Sequence, residues 1–320
     1  MNKSVWMSSK FGKDIDALRL CLDDLRECGI SRILYNAPIE DIETIMRFNE
    51  DIEIHIWNIT LLNNDESIIT SNPDWFIKNK NGQSCITHPA YVNYYKWLCP
   101  NHPEVLDFLT SSIQDLCKIS KLRGIHLDYI RLPDVILPKG IQPQYNLEQT
   151  SEEPQYDYCY CEHCRKKFQE RTGHDIWDKE DKYNIADWKQ FRYDSVTELV
   201  NQLSDYVRFF NKEISAAVFP TPAIAKELVR QEWAKWRLDE VYPMMYHNHY
   251  LEPVSWIGEA IKQGTKATKA NLHAGVFLPA LSGKELKQIL KICNDSEAAG
   301  IALFDAGAIT EEHKKVLKNC

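Results

Sequence analysis

The hydrophobic pattern alternates between two kinds of segment along most of the chain. Short runs rich in β-branched and apolar residues are typical of buried strands. Between them lie longer stretches in which apolar residues recur every three or four positions, as on the buried face of a helix. Ile15, Leu18, Leu22 and Leu25 show this helical spacing, and Gly29 ends the segment. Strands are predicted at residues 5–9, 32–37, 52–61, from Gly124, and at 214–219, 240–246, 270–278 and 300–305.

This order of elements predicts the fold class. Strict alternation of strand and helix indicates a parallel sheet with helical crossovers, and eight units in 320 residues fit a (β/α)₈ barrel. A doubly wound sheet is the alternative. It usually begins with a glycine-rich phosphate loop after the first strand, a pattern that residues 8–13 lack. The expectation is one barrel domain over residues 1–320.

Two long insertions interrupt the regular units. They cover about 63–102, after the third strand, and 132–187, after the fourth. Barrels build their active sites on the face where these segments emerge, and long irregular loops in a compact domain are usually functional. Both insertions are therefore expected to form a lid over the carboxyl-terminal face.

Composition and charge argue against two kinds of partner, nucleic acids and membranes. Hydrophobic residues make up 44% and charged residues 26%, an ordinary globular balance. With a net charge of −8 and no stripe of Lys and Arg, a nucleic-acid partner is not expected. No apolar run approaches the ~18 residues of a membrane span. Residues 1–7 lack a signal-peptide core, which fits either a cytoplasmic protein or one whose signal was removed. Nothing indicates the oligomeric state.

The segment 124–134 places polar groups at the end of the predicted fourth strand. Alternate strand residues share a face, so His126 and Asp128 point the same way. A carboxylate inside a barrel is costly unless it is paired or functional, and Asp128 is predicted to be functional. Arg131 is either its partner or part of a scaffold ion pair. His126 is either a core histidine or a ligand contact.

The other predicted strand ends are rich in aromatic and hydrogen-bonding side chains. Aromatic rings stack on the C–H faces of sugars, while amide, imidazole and guanidinium groups bond to hydroxyls, so a carbohydrate ligand is expected. No organic cofactor is indicated. The predicted ligand-binding residues are Trp57, Asn58, Trp97, His126, Arg131, Tyr246, His247 and Tyr250.

The second insertion contains three closely spaced thiols, Cys159, Cys161 and Cys164, in a C-x-C-x-x-C pattern. Thiolates at this spacing share one tetrahedral zinc ion in many proteins. The preferred fourth ligand is Cys99, which would make the zinc a link between the insertions. The alternatives are Cys85, His163 and His174, and a disulfide or free thiols also remain possible.

Three parts of the chain resemble the "family 10-like" glycosyl hydrolases: the fourth-strand segment 124–133, residues 72–76 with 94–100, and residues 241–246. This resemblance implies a (β/α)₈ barrel that acts on glycosides. The cysteine loop, with Phe168 after it, resembles the zinc loop of family 42 β-galactosidases. In that family an upstream cysteine completes the site, which implies the same role for Cys99 or Cys85 here.

Glycoside hydrolysis commonly needs a pair of carboxylates. Families with a nucleophile after strand seven have a carboxylate there, whereas this chain has Leu278 and Pro279. Families with an acid on strand six have a carboxylate where this chain has His247. Asp305, at the end of strand eight, is the predicted catalytic partner of Asp128. The alternatives in the loops are Asp134, Asp157 and Glu162.

Three functions therefore remain open. The first is a glycoside hydrolase in which Asp128 is the nucleophile or stabilises the positively charged transition state. The second is a glycan-binding barrel with weak or no catalysis, which the missing second carboxylate favours. The third is a metal-dependent hydrolase of amides or esters that uses Asp128 with His126, His247 and His249.

Overall fold

The computed structural model describes residues 1–9, 14–49, 51–177 and 184–319. Eight parallel strands pair in chain order, and β8 pairs with β1 to close a barrel, so the predicted fold class is confirmed. The strands are β1 (Asn2–Ser8), β2 (Arg32–Asn36), β3 (Glu53–Ile59), β4 (Gly124–Asp128), β5 (Glu213–Val218), β6 (Glu240–Pro243), β7 (Asn271–Phe277) and β8 (Gly300–Phe304).

Helices connect the strands around the outside. In the described residues they are α1 (Ile15–Glu27), α2 (Ile39–Phe48), α3 (Glu66–Ser71), α4 (Pro103–Cys117), α5 (Glu162–Thr172), α6 (Asn184–Phe209), α7 (Pro222–Val229), α8 (Trp256–Ala267), α9 (Gly283–Asn294) and α10 (Glu311–Leu317). Helix α7 ends at Val229 because Arg230 takes a left-handed conformation, with φ of 58°. No described helix has both the length and the apolar character that crossing a membrane requires.

Side chains of the strands alternate between two separate apolar clusters. Those facing outward, such as Ile125 and Leu127, join the large cluster that packs against the helices. Those facing inward form a small cluster in the barrel interior: Trp6, Leu34, Ala217, Tyr242 and Ala302. The same alternation turns His126 and Asp128 inward. Closure of the barrel therefore places Asp128 at the carboxyl-terminal mouth.

The amino-terminal end of the barrel is filled by ionic side chains. Arg32 pairs with Glu53 at 2.6 Å and with Glu240, and it also donates to the Tyr242 hydroxyl at 2.9 Å. His273 lies 3.3 Å from the second oxygen of Glu240. Buried charges are tolerated only when paired in this way. This end of the barrel is thereby closed, which leaves the opposite end for a ligand.

The two insertions pair with each other through their backbones. Asn79 forms an antiparallel bridge with Tyr158, and the Tyr160 amide donates to the Lys78 carbonyl at 2.8 Å. The Lys80 amide donates to the Asp157 carbonyl at 3.0 Å. Residues 178–183 of the predicted second insertion lie outside the described residues. The remainder of the two insertions forms one connected unit.

Replacing Glu240 tests the ion pairs at the amino-terminal end of the barrel. Burial alone would raise the pKa of Glu240, but hydrogen bonds from His273 and Arg32 hold it well below its ordinary value. Glu240→Gln should lower the free energy of unfolding at pH 7 by about 3 kcal/mol, because Arg32 loses a buried partner. Since the folded pKa is depressed, this stabilisation is present above the unfolded Glu pKa of ~4.3 and is lost as the pH falls further.

The measurement is urea unfolding of the protein and the variant at pH 7 and below pH 4. The difference between them should shrink at the lower pH. Glu43→Gln, at an exposed helical position, is the matched control and should change little at either pH. An equal loss at both pH values would contradict the role given to the ionised carboxylate.

Candidate active site

Asp128 ends β4 with its carboxylate held in the barrel mouth. The Trp57 indole nitrogen donates to Oδ2 at 2.8 Å, and the Tyr129 amide donates to Oδ1 at 2.6 Å. Burial raises the pKa of Asp128, while both hydrogen bonds and the charge of Arg131 oppose that rise. The residue is only partly covered by protein. The result is a carboxylate fixed by two donors and partly enclosed by the protein.

Aromatic rings surround this carboxylate. Trp57 lies edge-on to Phe304, with ring centres 6.0 Å apart. Tyr246 lies 5.9 Å from Phe304 and 5.4 Å from Phe277. These rings come from β3, the loop after β6, β7 and β8. An aromatic wall next to a carboxylate has the composition of a sugar-binding pocket.

Tyr246 is influenced by the charges of both Asp128 and Asp305. Burial raises the pKa of Tyr246 well above its ordinary value, and the charges of Asp128 and Asp305 raise it further. Both carboxylates therefore lie within electrostatic range of one phenol. The Tyr246 hydroxyl is buried and has no hydrogen-bond partner in the described structure. Asp305 is half-buried just past the end of β8.

His126 lies below this pocket and is completely buried. Its Nε2 accepts a hydrogen bond from the Trp6 indole at 3.2 Å, so Nδ1 carries the proton and donates to Ser215 Oγ at 2.9 Å. Burial lowers the pKa of His126 well below its ordinary value. The ring is thus neutral, and both of its nitrogens are hydrogen-bonded within the barrel interior. Its predicted contact with ligand stays a prediction, and this environment favours a supporting role.

Arg131 points away from Asp128 toward the insertions. It pairs with Asp134 at 2.9 Å, and its guanidinium lies over the rings of Trp97 and Phe219 at 5.0 and 5.1 Å. Trp97 is completely buried beneath it. Of the two readings of Arg131, the structure favours a scaffold ion pair with Asp134. Trp97 supports this cation, and its own contact with a sugar stays untested.

The remaining predicted binding residues divide between two places. His247 and Tyr250 belong to a short helical turn after β6, and both are partly exposed. Burial lowers the pKa of His247, while it raises that of Tyr250, with the charge of Asp134 adding to the rise. Asn58 follows Trp57 on β3 and accepts a hydrogen bond from Thr60 at 3.1 Å. Strand alternation turns Asn58 away from Asp128.

Two of the three loop carboxylates are held in fixed interactions. Asp134 is buried in its pair with Arg131. Asp157 is buried, pairs with Arg192, and accepts from the Tyr160 hydroxyl at 2.7 Å. Glu162 is exposed in the first turn of α5. Asp305, which has no ion pair among the described residues, stays the predicted partner of Asp128.

The structure brings four cysteines together. Cys99 Sγ lies 3.4 Å from Cys161 Sγ and 3.5 Å from Cys164 Sγ, and Cys159 completes the group. All four residues are buried. Burial raises the pKa of Cys99, while hydrogen bonds from the neighbouring thiols lower that of Cys161. Sulfur atoms at these separations have the tetrahedral spacing that a zinc ion requires.

The family is settled by comparison of sequences. Residues 47–298 match the model of the glycosyl hydrolase-like 10 family, a match that covers most of the chain. The chain belongs to this family. The resemblance seen at the fourth strand is thereby confirmed, whereas the likeness of the cysteine loop to family 42 enzymes stays an expectation. No curated protein matches the sequence.

Solved structures show what this family member is similar to in fold. The β-amylase catalytic domain from Paenibacillus polymyxa aligns over 99% of this chain and 97% of its own, with a TM-score of 0.67 and 12% identity. The spore cortex-lytic enzyme SleL from Bacillus megaterium aligns over 99% of this chain and 73% of its own, with a TM-score of 0.56 and 8% identity. The α-galactosidase from Lactobacillus brevis aligns over 100% of this chain and 39% of its own, with a TM-score of 0.57 and 10% identity. At such identities the likeness shows the fold alone.

The structure weakens the hypothesis of a metal-dependent hydrolase of amides or esters. Two groups of potential ligands occur among the described residues: the four cysteines, and Asp74 with His102 and His163. Neither includes Asp128, His126, His247 or His249. Among the described residues of this family member, Asp128 thus belongs to no group of three potential metal ligands.

Sequence reasoning missed Phe277 among the aromatic rings and did not predict that the Tyr129 amide bonds to Asp128. Phe277 is the last inward residue of β7, after His273 and Gly275, so period-two alternation was the available signal. The prediction instead ended that strand at Leu278, which is buried outside the barrel interior. Tyr129 takes a positive φ of 50°, and this local turn directs its amide at Asp128. No sequence signal indicates that conformation.

Removing the indole donor should shift the titration of Asp128. Trp57→Phe deletes a hydrogen bond to the charged carboxylate, worth about 1.5 kcal/mol, and should raise the pKa by about one unit. The measurement is a carbon-13 NMR titration of labelled aspartate carboxyls, with Asp128→Asn identifying the resonance. Trp177→Phe, in the second insertion, is the control. An unchanged titration would show that the Trp57 bond does not hold the carboxylate in solution.

Proposed function

We propose that this protein is a glycoside hydrolase in which Asp128 is the nucleophile and Asp305 the acid/base. The observation that carries the proposal is the inward-facing Asp128 carboxylate, fixed by Trp57 and the Tyr129 amide below an aromatic wall. Membership of the glycosyl hydrolase-like 10 family supports it. The fold similarity to several sugar-cleaving enzymes agrees with a barrel of this kind but carries no residue roles.

The proposed reaction has two steps. Asp128 attacks the anomeric carbon and forms a glycosyl ester, while Asp305 gives its proton to the departing oxygen. Water then attacks the same carbon, gives a proton to Asp305 and releases Asp128. The two hydrogen bonds at Asp128 favour the ionised form that the attack needs. The unpaired Tyr246 hydroxyl, near both carboxylates, would bond to a ring hydroxyl or oxygen of the bound sugar.

Replacing Asp128 tests the nucleophile. Asp128→Asn should abolish turnover of an active 4-nitrophenyl glycoside, found by screening a panel that covers common sugars in both anomeric forms. Asp128→Ala should recover activity with added azide and release a glycosyl azide, because the small anion replaces the carboxylate. Asp115→Asn, at an exposed position on α4, is the control and should keep full activity. Full activity in Asp128→Asn would overturn the proposal.

Asp305 has a different expected signature. Asp305→Asn should keep turnover of 2,4-dinitrophenyl glycosides, whose leaving group needs no proton. Its turnover of a sugar–sugar linkage, whose leaving oxygen does need a proton, should fall at least about 100-fold. Equal losses on both substrates would remove Asp305 from the acid role. Sugar binding by calorimetry without turnover across the whole panel would instead support the glycan-binding alternative.

We further propose that the four-cysteine cluster holds a structural zinc. The bound ion would supply a link between the two insertions and no step of the reaction. Cys99 belongs to the first insertion and the other three cysteines to the second, so the link would reinforce their backbone pairing. Cys85 is also buried, but the structure leaves it outside the group.

Metal analysis tests the zinc. The purified protein should contain about one zinc per chain by mass spectrometry, and Cys159→Ser should lose it together with several degrees of melting temperature. Cys293→Ser removes a buried thiol on α9 and is the matched control. Zinc retained by both Cys159→Ser and Cys99→Ser would contradict the assignment.

A further inference from the structure

Beside the cysteine cluster lies a second group of potential ligands, Asp74, His102 and His163. We propose that these residues form a separate site for an exchangeable divalent transition metal such as Zn²⁺, Co²⁺, Ni²⁺ or Cu²⁺. This inference goes beyond the proposed glycoside hydrolysis and does not depend on it.

The geometry allows one ion to reach all three side chains. One ligand atom from each residue lies within 4.8 Å of the other two. His102 Nε2 is 3.4 Å from Asp74 Oδ2, and the two imidazole rings have centres 4.0 Å apart with planes at 54°. Metal–nitrogen and metal–oxygen bonds of about 2.0–2.2 Å span such separations with little rearrangement.

The two imidazoles also have unused hydrogen-bonding capacity. His102 is buried, and its Nδ1 has no hydrogen-bond partner in the described structure. Among the described residues His163 forms no hydrogen bond or ion pair, although its ring touches that of His102. Trp75 packs against the His102 ring, with ring centres 6.0 Å apart, and helps to fix it. His163 can therefore offer a ring nitrogen without losing a hydrogen bond, while His102 Nε2 would exchange its contact with Asp74 for an ion that both residues share.

The donor set distinguishes this site from the cysteine cluster. Two imidazoles and one carboxylate suit borderline divalent ions, whereas four thiolates form a closed site for zinc. The side chain of Asp74 is 68% exposed, so water would complete the coordination and the ion would exchange readily. The cysteine ligands are all buried, so a metal held there would exchange slowly.

The site also joins the same parts of the chain. Asp74 and His102 belong to the first insertion, and His163 lies on α5 between two of the cysteines. An ion at this place would add a second, reversible link between the insertions. Its occupancy would therefore follow the supply of divalent metal.

Cobalt binding provides the test. The protein is produced in cells supplied with zinc, purified and dialysed. It is then titrated with Co²⁺, and binding is followed by calorimetry and by visible absorption. The wild type should bind one Co²⁺ with weak visible bands and no sulfur-to-metal charge transfer. Loss of even an outer partner of a metal ligand typically costs ~10–100-fold, so Asp74→Asn and His163→Asn should each weaken binding at least about tenfold.

The controls separate this site from the cysteines and from general surface binding. His88→Asn removes an exposed histidine of the same insertion and should leave the affinity unchanged. Zinc content and circular dichroism should be the same in all four proteins, which shows that they fold alike. Wild-type binding no tighter than in Asp74→Asn, or cobalt bands with thiolate charge transfer, would overturn the proposal.

Discussion

Closure of the parallel sheet is the constraint on which the rest of this structure depends. Once β8 pairs with β1, every strand has one face toward the helices and one toward the interior. A shift of one residue would exchange the two faces, so the register is strongly determined. The same constraint that buries Leu127 among the helices turns Asp128 into the barrel. The catalytic candidate is therefore placed by the packing of its apolar neighbours.

The barrel interior then has to satisfy the polar groups that face into it. At its amino-terminal end Arg32 and Glu240 neutralise each other. Halfway along, burial lowers the pKa of His126 and keeps the ring neutral, and the Trp6 indole and Ser215 bond to its two ring nitrogens. Asp128, at the other end, accepts from the Trp57 indole and the Tyr129 amide and is only partly covered by protein. Unlike Glu240, it has no ion-pair partner among the described residues.

The two insertions follow β3 and β4 and form one connected unit. Their backbones pair, and Arg131 is fixed by Asp134 on one side and by the Trp97 ring on another. Because Asp134 and Asp157 are both used in buried ion pairs, neither is available as a mobile acid without breaking a buried pair, which would be costly. The proposed chemistry therefore depends on Asp128 at the end of β4 and Asp305 just past β8.

The sequence by itself determined the barrel, the inward direction of Asp128 and the metal-like spacing of the cysteines. These properties are local: hydrophobic periodicity, strand alternation and ligand spacing are all read within short segments. Only the tertiary structure decided that Cys99, and not Cys85, completes the thiol group, and that Tyr246 lies near both carboxylates. These are contacts between segments far apart in the chain, and they follow from how the insertions and strand ends pack around the closed barrel.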